Sequence, residues 1–161
     1  MEANRIELLQ RMPVFGALSG ATLELLLAQS RLREVASGDF FFREGDDARS
    51  MYVLERGAAV VTRQWQGREM ELNRFAAGDC FGEMALMDLH PRSATVRALE
   101  PCTALEFGND EMLHLYETDL EQFTLLQMNL GRELCRRLRA TDDLLFRAAM
   151  GEALAAPHGS G

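Results

Sequence analysis

Residues 78–96 read GDCFGEMALMDLHPRSATV, and the reading of the whole chain turns on them. A Gly78-Asp79 turn leads into Phe81-Gly82-Glu83, then into residues 84–87 with the texture of one helical turn. Arg92 follows nine positions after the acid. Gly82 has no Cβ and lets the backbone approach a ligand closely. Glu83 accepts hydrogen bonds at neutral pH, including one from a sugar hydroxyl. The start of the turn presents backbone N–H groups to an anion. Arg92 adds a permanent charge and a planar fork of donors that matches phosphate oxygens in pairs. Such a segment suits a small ligand with both a hydroxyl and a phosphate.

Outward from this stretch, residues 31–109 carry short β-prone runs: 40–42, 51–54, 59–62, 94–98 and 103–107. Turn signals separate them, at 37–39, 44–47, 56–57, 66–67, 77–79 and 108–110. Many short strands at regular spacing predict an antiparallel roll, interrupted by the short helix within 78–96. Before the roll, residues 5–12 have apolar residues at helical spacing and Pro13 ends them. Ser19 caps a second helix that turns Leu23, Leu26 and Leu27 inward. After it, Asp110 or Asp119 opens helices over 111–117 and 120–150. The longer one places Phe123, Leu126, Leu130, Leu134, Leu138, Leu145 and Ala148 on one broad face. About 30 residues of helix span roughly 45 Å, more than a domain of this size needs, so part of that stripe is expected to pack on a second copy of the chain. Residues 151–161 read as a disordered tail.

The bulk numbers exclude several classes. With 161 residues, 47% hydrophobic and 26% charged, one globular domain is expected over 1–150. No apolar run approaches the ~20 residues of a membrane span, and the first twelve residues lack the apolar core of a secretory signal. A net charge of −8 argues against non-specific attraction to nucleic acid or anionic lipid. The three cysteines, Cys80, Cys102 and Cys135, are widely spaced and read as reduced, partly buried thiols of a cytoplasmic protein. All 17 basic residues are arginines, which weakens any inference from one arginine taken alone; Arg92 draws its meaning from its neighbours.

FGEMALM followed by PRSATV resembles the phosphate-binding cassette of cyclic nucleotide-binding domains, the family of bacterial catabolite activators and kinase regulatory subunits. Phe81, Gly82, Glu83, Ala85, Leu86, Arg92, Ala94 and Val96 stand at the family's spacing, and the resemblance extends over residues 5–150. It implies an α+β fold: N-terminal helices over 5–30, an antiparallel β-roll of jelly-roll type over 31–109 with the cassette at 78–96, and C-terminal helices over 110–150. It implies a ligand site of Phe81, Gly82, Glu83, Met84, Ala85, Arg92, Ser93 and Ala94. Arg92 would hold the phosphate, Glu83 the ribose 2′-hydroxyl, and Ser93 the phosphate again, a serine leaning towards cyclic AMP over cyclic GMP. Residues 135–143, CRRLRATDD, resemble the helix that brings hydroxyls to the base. Thr141 takes the first such position, and Asp142 stands where the family has a serine.

Each residue also has a plainer reading. Arg92 would be a surface arginine paired with a carboxylate, Glu83 an acid favouring a helix start, and Ser93 a strand-start serine. Thr141 would face a partner helix and Asp142 would be solvated. His90 and His114 read as surface residues, Cys80 as a buried structural thiol, Trp65 as packing at a hairpin, and Glu69 and Glu71 as a solvent face. No CxxC or HExxH pattern is present, so neither a metal site nor a catalytic residue is expected. The function expected is a non-enzymatic sensor of cyclic nucleotide, cyclic AMP or else cyclic GMP, needing no cofactor. It would report through its long helix, as a homodimer, to a downstream protein, with no DNA-binding domain of its own. The alternative is a dimerisation module whose cassette no longer binds nucleotide.

Overall fold

Two periodicities, helical at the ends and two-residue in the middle, sort this chain into the elements of its computed structural model, which describes residues 2–151. Helix α1 (Glu2–Arg11), a 3-10 turn (Pro13–Phe15) and α2 (Gly20–Gln29) come first. Strands β1 (Arg31–Val35), β2 (Phe40–Phe42), β3 (Ser50–Arg56), β4 (Ala58–Trp65), β5 (Arg68–Ala76) and β6 (Cys80–Phe81) follow. After the short α3 (Met84–Asp88) come β7 (Thr95–Ala98), β8 (Cys102–Gly108), α4 (Asn109–Thr118) and α5 (Leu120–Ala149). Of the tail expected at 151–161, residues 152–161 lie outside the described residues.

The eight strands form two antiparallel four-stranded sheets, ordered β1-β8-β3-β6 and β2-β7-β4-β5, the α+β roll that the turn spacing predicts. The first sheet is covered twice. Met51, Val53, Leu105 and Phe107 pack with Leu9, Phe15, Leu23, Leu26, Leu126 and Leu130 of the helical layer. Tyr52, Leu54, Phe81 and Ala104 face the second sheet, with Phe41, Ala59, Phe75 and Val96. This is why β3 is buried from Ser50 to Leu54 without alternation: neither of its faces meets water. Fully burying one leucine here is worth about 1.5–3 kcal/mol.

The ends of elements follow local chemistry. Ser19 caps α2, its Oγ accepting from the Thr22 N–H at 3.1 Å. Asp119 caps α5 by accepting from the Gln122 N–H at 3.1 Å. The β3–β4 reversal needs Gly57, whose φ is +92° and whose missing Cβ would lie 2.7 Å from the Pro101 carbonyl oxygen. The turn expected at 108–110 is instead the direct entry to α4. The Glu111 carboxylate accepts from the Gly108 N–H at 2.7 Å and starts the helix there.

The apolar stripe of α5 has two environments: Leu126 and Leu130 are buried in the core, whereas Leu138 and Leu145 are 62% and 64% exposed. The helix runs past the edge of the roll, and every residue from Leu138 to Gly151 is exposed. Trp65, expected to pack, is 75% exposed at the β4–β5 hairpin, which continues to Trp65 beyond Thr62, where the pairing of β4 with β7 ends.

Candidate functional site

The cassette lies against the mouth of the roll. β6 pairs with β3 through Tyr52–Phe81 and Val53–Cys80, which delivers the chain to Gly82 beside the open end of the inter-sheet core. Gly82 takes φ +77°; a Cβ on it would lie 2.7 Å from Arg92 Nη1 and 3.3 Å from the Ser50 carbonyl oxygen. Glycine is thus required twice here, for the backbone conformation and for the approach of Arg92. α3 follows at once, with Glu83 as its first flanking residue and Leu89 closing it at φ +57°. The loop to Arg92 is stapled by paired backbone bonds: the Arg92 N–H to the Asp46 carbonyl and the Gly45 N–H to the Arg92 carbonyl, both 2.8 Å.

Glu83 and Arg92 are both buried, at 1% and 7% exposure, and both line one hollow of about 170 Å³. The plainer reading of Arg92, as a surface arginine paired with an acid, does not describe it. Its Nη2 donates to the Ser50 carbonyl at 2.8 Å and its Nη1 to the Gly82 carbonyl at 3.2 Å. Its guanidinium lies 3.9 Å over the Phe42 ring, a cation–π contact. Burial lowers its pKa from the ordinary arginine value, an effect opposed by Tyr52, Glu106, Asp46 and Glu83. Two polar atoms here are buried without a partner, Arg92 Nε, a donor, and Glu83 Oε2, an acceptor. An unpartnered buried group costs ~1–3 kcal/mol, so each marks a place where a ligand atom would be stabilised.

Phe81, Gly82, Met84, Ala85, Ser93 and Ala94 line the same hollow as Glu83 and Arg92. The Ala85 N–H, expected to face an anion, is engaged by the Gly82 carbonyl at 3.2 Å. Thr141 and Asp142 are not among the lining residues; both are exposed on α5, and the Thr141 hydroxyl donates to the Arg137 carbonyl at 3.0 Å. The residue of α5 that does reach the hollow is Arg137, one turn earlier, which the sequence reading passed over. Its Nη1 donates to Glu83 Oε1 at 2.5 Å, its Nη2 to the Cys80 carbonyl at 2.8 Å, and its Nε to Glu133 Oε1 at 3.0 Å. Burial works to lower its pKa, but Glu83, Cys80 and Glu133 outweigh this and raise it. The i, i+4 spacing of Glu133 and Arg137 was the available signal, diluted by the number of arginines around it. Phe42 of β2, Ala48 of the loop before β3, Val61 of β4 and Phe75 of β5, also missed, line the apolar wall; all four lie outside the 78–96 segment.

Glu133 carries a second arginine, Arg136. Burial pushes the Glu133 pKa up, yet the hydrogen bond from Arg136 and the charges of Arg137 and Arg136 bring it below the ordinary carboxylate value. Burial, then Glu83, pushes the Cys80 thiol up to about 12, so this cysteine stays protonated and unreactive. Cys102 is also buried, whereas Cys135, expected to be partly buried, is exposed. His90 is exposed yet lines the hollow, and His114 is half-buried on α4. Among the described residues no group of three or more His, Cys, Asp or Glu could hold a metal ion, and no helix is long and apolar enough to cross a membrane.

Comparison with known proteins agrees with this fold. The family described as cyclic nucleotide-binding domain matches residues 32–119. The cyclic AMP receptor protein of Thermus thermophilus is 30% identical over 131 residues, covering 81% of this chain and 59% of that protein. The cAMP-dependent protein kinase regulatory subunit of Mycosarcoma maydis is 33% identical over 90 residues, 56% of this chain and 17% of that one. The crystal structure of the Thermus thermophilus catabolite activator protein superposes with a TM-score of 0.75 at 30% identity, covering 85% of this chain and 63% of that chain. The chain thus spans about three fifths of the length of the curated bacterial relative.

Proposed function

Since this chain belongs to the cyclic nucleotide-binding domain family, we propose that it binds a cyclic nucleotide, cyclic AMP by preference, and reports it through α5. The observation that carries the reading is the pair of unpartnered buried atoms, Arg92 Nε and Glu83 Oε2, in one hollow. An equatorial phosphate oxygen satisfies the first, in a charge-assisted contact. A ribose 2′-hydroxyl satisfies the second. Ser93, exposed at the rim, adds a hydroxyl to the phosphate, and the apolar wall of Val61 and Phe75 takes the flat faces of the sugar and base.

Reporting requires that ligand favour one position of α5 over another. Arg137 supplies a physical link, because it ties α5 to Glu83 and to the Cys80 carbonyl. A nucleotide that binds one arrangement about 100-fold tighter supplies ~2.7 kcal/mol of coupling. The exposed distal half of α5 is where a second copy of the chain would pack. In such a dimer Thr141 and Asp142 would approach a base, from this chain or from its partner. A downstream protein would read the change. No chemical step on the nucleotide is part of this reading, in keeping with the regulatory proteins the chain resembles.

One observation favours the second reading, a module that no longer needs nucleotide: Arg137 already occupies Glu83 Oε1. Calorimetric titration with cyclic AMP and cyclic GMP separates the two. Binding that weakens at least about tenfold in Arg92→Leu, the loss of a charge-assisted contact, supports the sensor. Affinity unchanged by that substitution, or no binding by the unsubstituted protein, refutes it.

A further inference from the structure

Arg92 is a buried cation with no acid in contact: among the described residues none of the ion pairs includes it. One hydroxyl away, however, lies Glu106 of β8, whose side chain is 19% exposed. Its Oε1 accepts from Ser50 Oγ at 2.8 Å and from Tyr52 Oη at 3.2 Å, while Oε2 faces Arg33 Nε at 3.5 Å. The β3–β8 register makes this cluster inevitable, since Tyr52 sits opposite Glu106 and Ser50 lies two residues along the same face. Ser50 and Tyr52 are in turn the residues that flank the Arg92 guanidinium. Nη2 lies 2.8 Å from the Ser50 carbonyl oxygen and 3.5 Å from its Oγ, and Cζ lies 5.8 Å from the centre of the Tyr52 ring.

We propose that Glu106 is a positioning residue for Arg92, acting through the hydroxyls of Ser50 and Tyr52. A serine hydroxyl has one proton. Here that proton goes to Glu106, so the side of Ser50 Oγ turned to Arg92 carries lone pairs and attracts the guanidinium. The Tyr52 hydroxyl is held in the same way, which fixes its ring against Phe81, at 5.4 Å between centroids and an interplanar angle of 20°. That ring forms part of the floor beneath Arg92. An acid at this remove offsets part of the cost of burying a cation without covering its donors. In direct contact it would fill the Nε edge that a phosphate needs. The arrangement holds Arg92 charged, oriented and unoccupied.

This inference rests on the nucleotide-sensor reading, and the test keeps the two apart. Cyclic AMP affinity is measured by calorimetry for the unsubstituted protein, Glu106→Leu, Ser50→Ala, Arg92→Leu and the two doubles that add Arg92→Leu. Loss of one oriented hydrogen-bonding partner predicts that Glu106→Leu and Ser50→Ala each weaken binding about three- to tenfold. In the Arg92→Leu background the same substitutions cost less than about twofold, because the group they position is gone. Equal losses in both backgrounds would assign Glu106 a general structural role and overturn the proposal, as would no loss in either single variant. Should Glu106→Leu fail to fold, the smaller Ser50→Ala change completes the cycle alone. Absence of binding by the unsubstituted protein overturns the sensor reading itself and this inference with it.

Discussion

Replacing Arg137 with leucine removes the one cation that, among the described residues, contacts Glu83, a carboxylate that is 1% exposed. Breaking a fully buried pair by deleting one partner costs about 3–5 kcal/mol, because the remaining charge is uncompensated. The Arg137 side chain is 36% exposed, so water reaches the vacated position and the cost falls to about 1–3 kcal/mol. For a chain of this size that corresponds to a drop in Tm of roughly 2–12 °C. Thermal unfolding at neutral pH, followed by circular dichroism, reads this directly. The decisive comparison is a cycle with Glu83→Gln. Once residue 83 is neutral, Arg137→Leu no longer strands a buried charge there and keeps only the cost of its bonds to Cys80 and Glu133, so the two substitutions together cost less than their sum. Full additivity of the two substitutions, or an unchanged Tm for Arg137→Leu, would refute the claim that this pair fastens α5 to the cassette.

Three further outcomes are expected. Gly82→Ala adds a Cβ at φ +77° against Arg92 Nη1 at 2.7 Å; it should destabilise the fold by about 1–3 kcal/mol and weaken nucleotide binding as Arg92 is displaced, both measurable on one sample. A 2′-deoxy cyclic nucleotide leaves Glu83 Oε2 unpartnered and should bind roughly 5–100-fold more weakly than its ribose counterpart; equal affinities in competition calorimetry would remove Glu83 from the sugar site. The Glu133 pKa is lowered in the folded protein, so its ion pairs with Arg136 and Arg137 contribute stability that is fully present above the unfolded carboxylate value and is lost as pH falls through the lower folded value. Melting curves of the unsubstituted protein and Glu133→Gln should therefore differ at pH 7 and draw together as pH falls below the unfolded carboxylate value, about 4.3, and a gap that stays constant into acid would contradict the pairing.

Much of the roll could be read from the chain because its signals are local. Gly57 and Gly78 mark reversals by adopting positive φ, and Ser19 and Asp119 cap helices through hydrogen bonds three residues on. The cassette is legible for the same reason: Gly82, Glu83 and Arg92 act within ten residues of one another. Where competing local signals met, the reading failed. Gly108-Asn109-Asp110 has the composition of a turn, yet Glu111 reaches back to the Gly108 N–H and makes it a helix start. The stripe of α5 has one period throughout but two environments, since periodicity says which residues share a face and not where the supporting sheet ends.

The amino-acid sequence by itself determined the strand and helix texture, a glycine at 82 suited to close backbone approach, and an acid and an arginine nine residues apart in one segment, because those depend on spacings of a few residues. Only the tertiary structure decided that Arg137, 54 residues beyond Glu83, closes over that acid, that Ser50 and Glu106 support Arg92 from two other strands, and that α5 leaves the roll halfway along. Those contacts depend on sheet register and on the path of a helix across it, and both are set by the packing of the whole core.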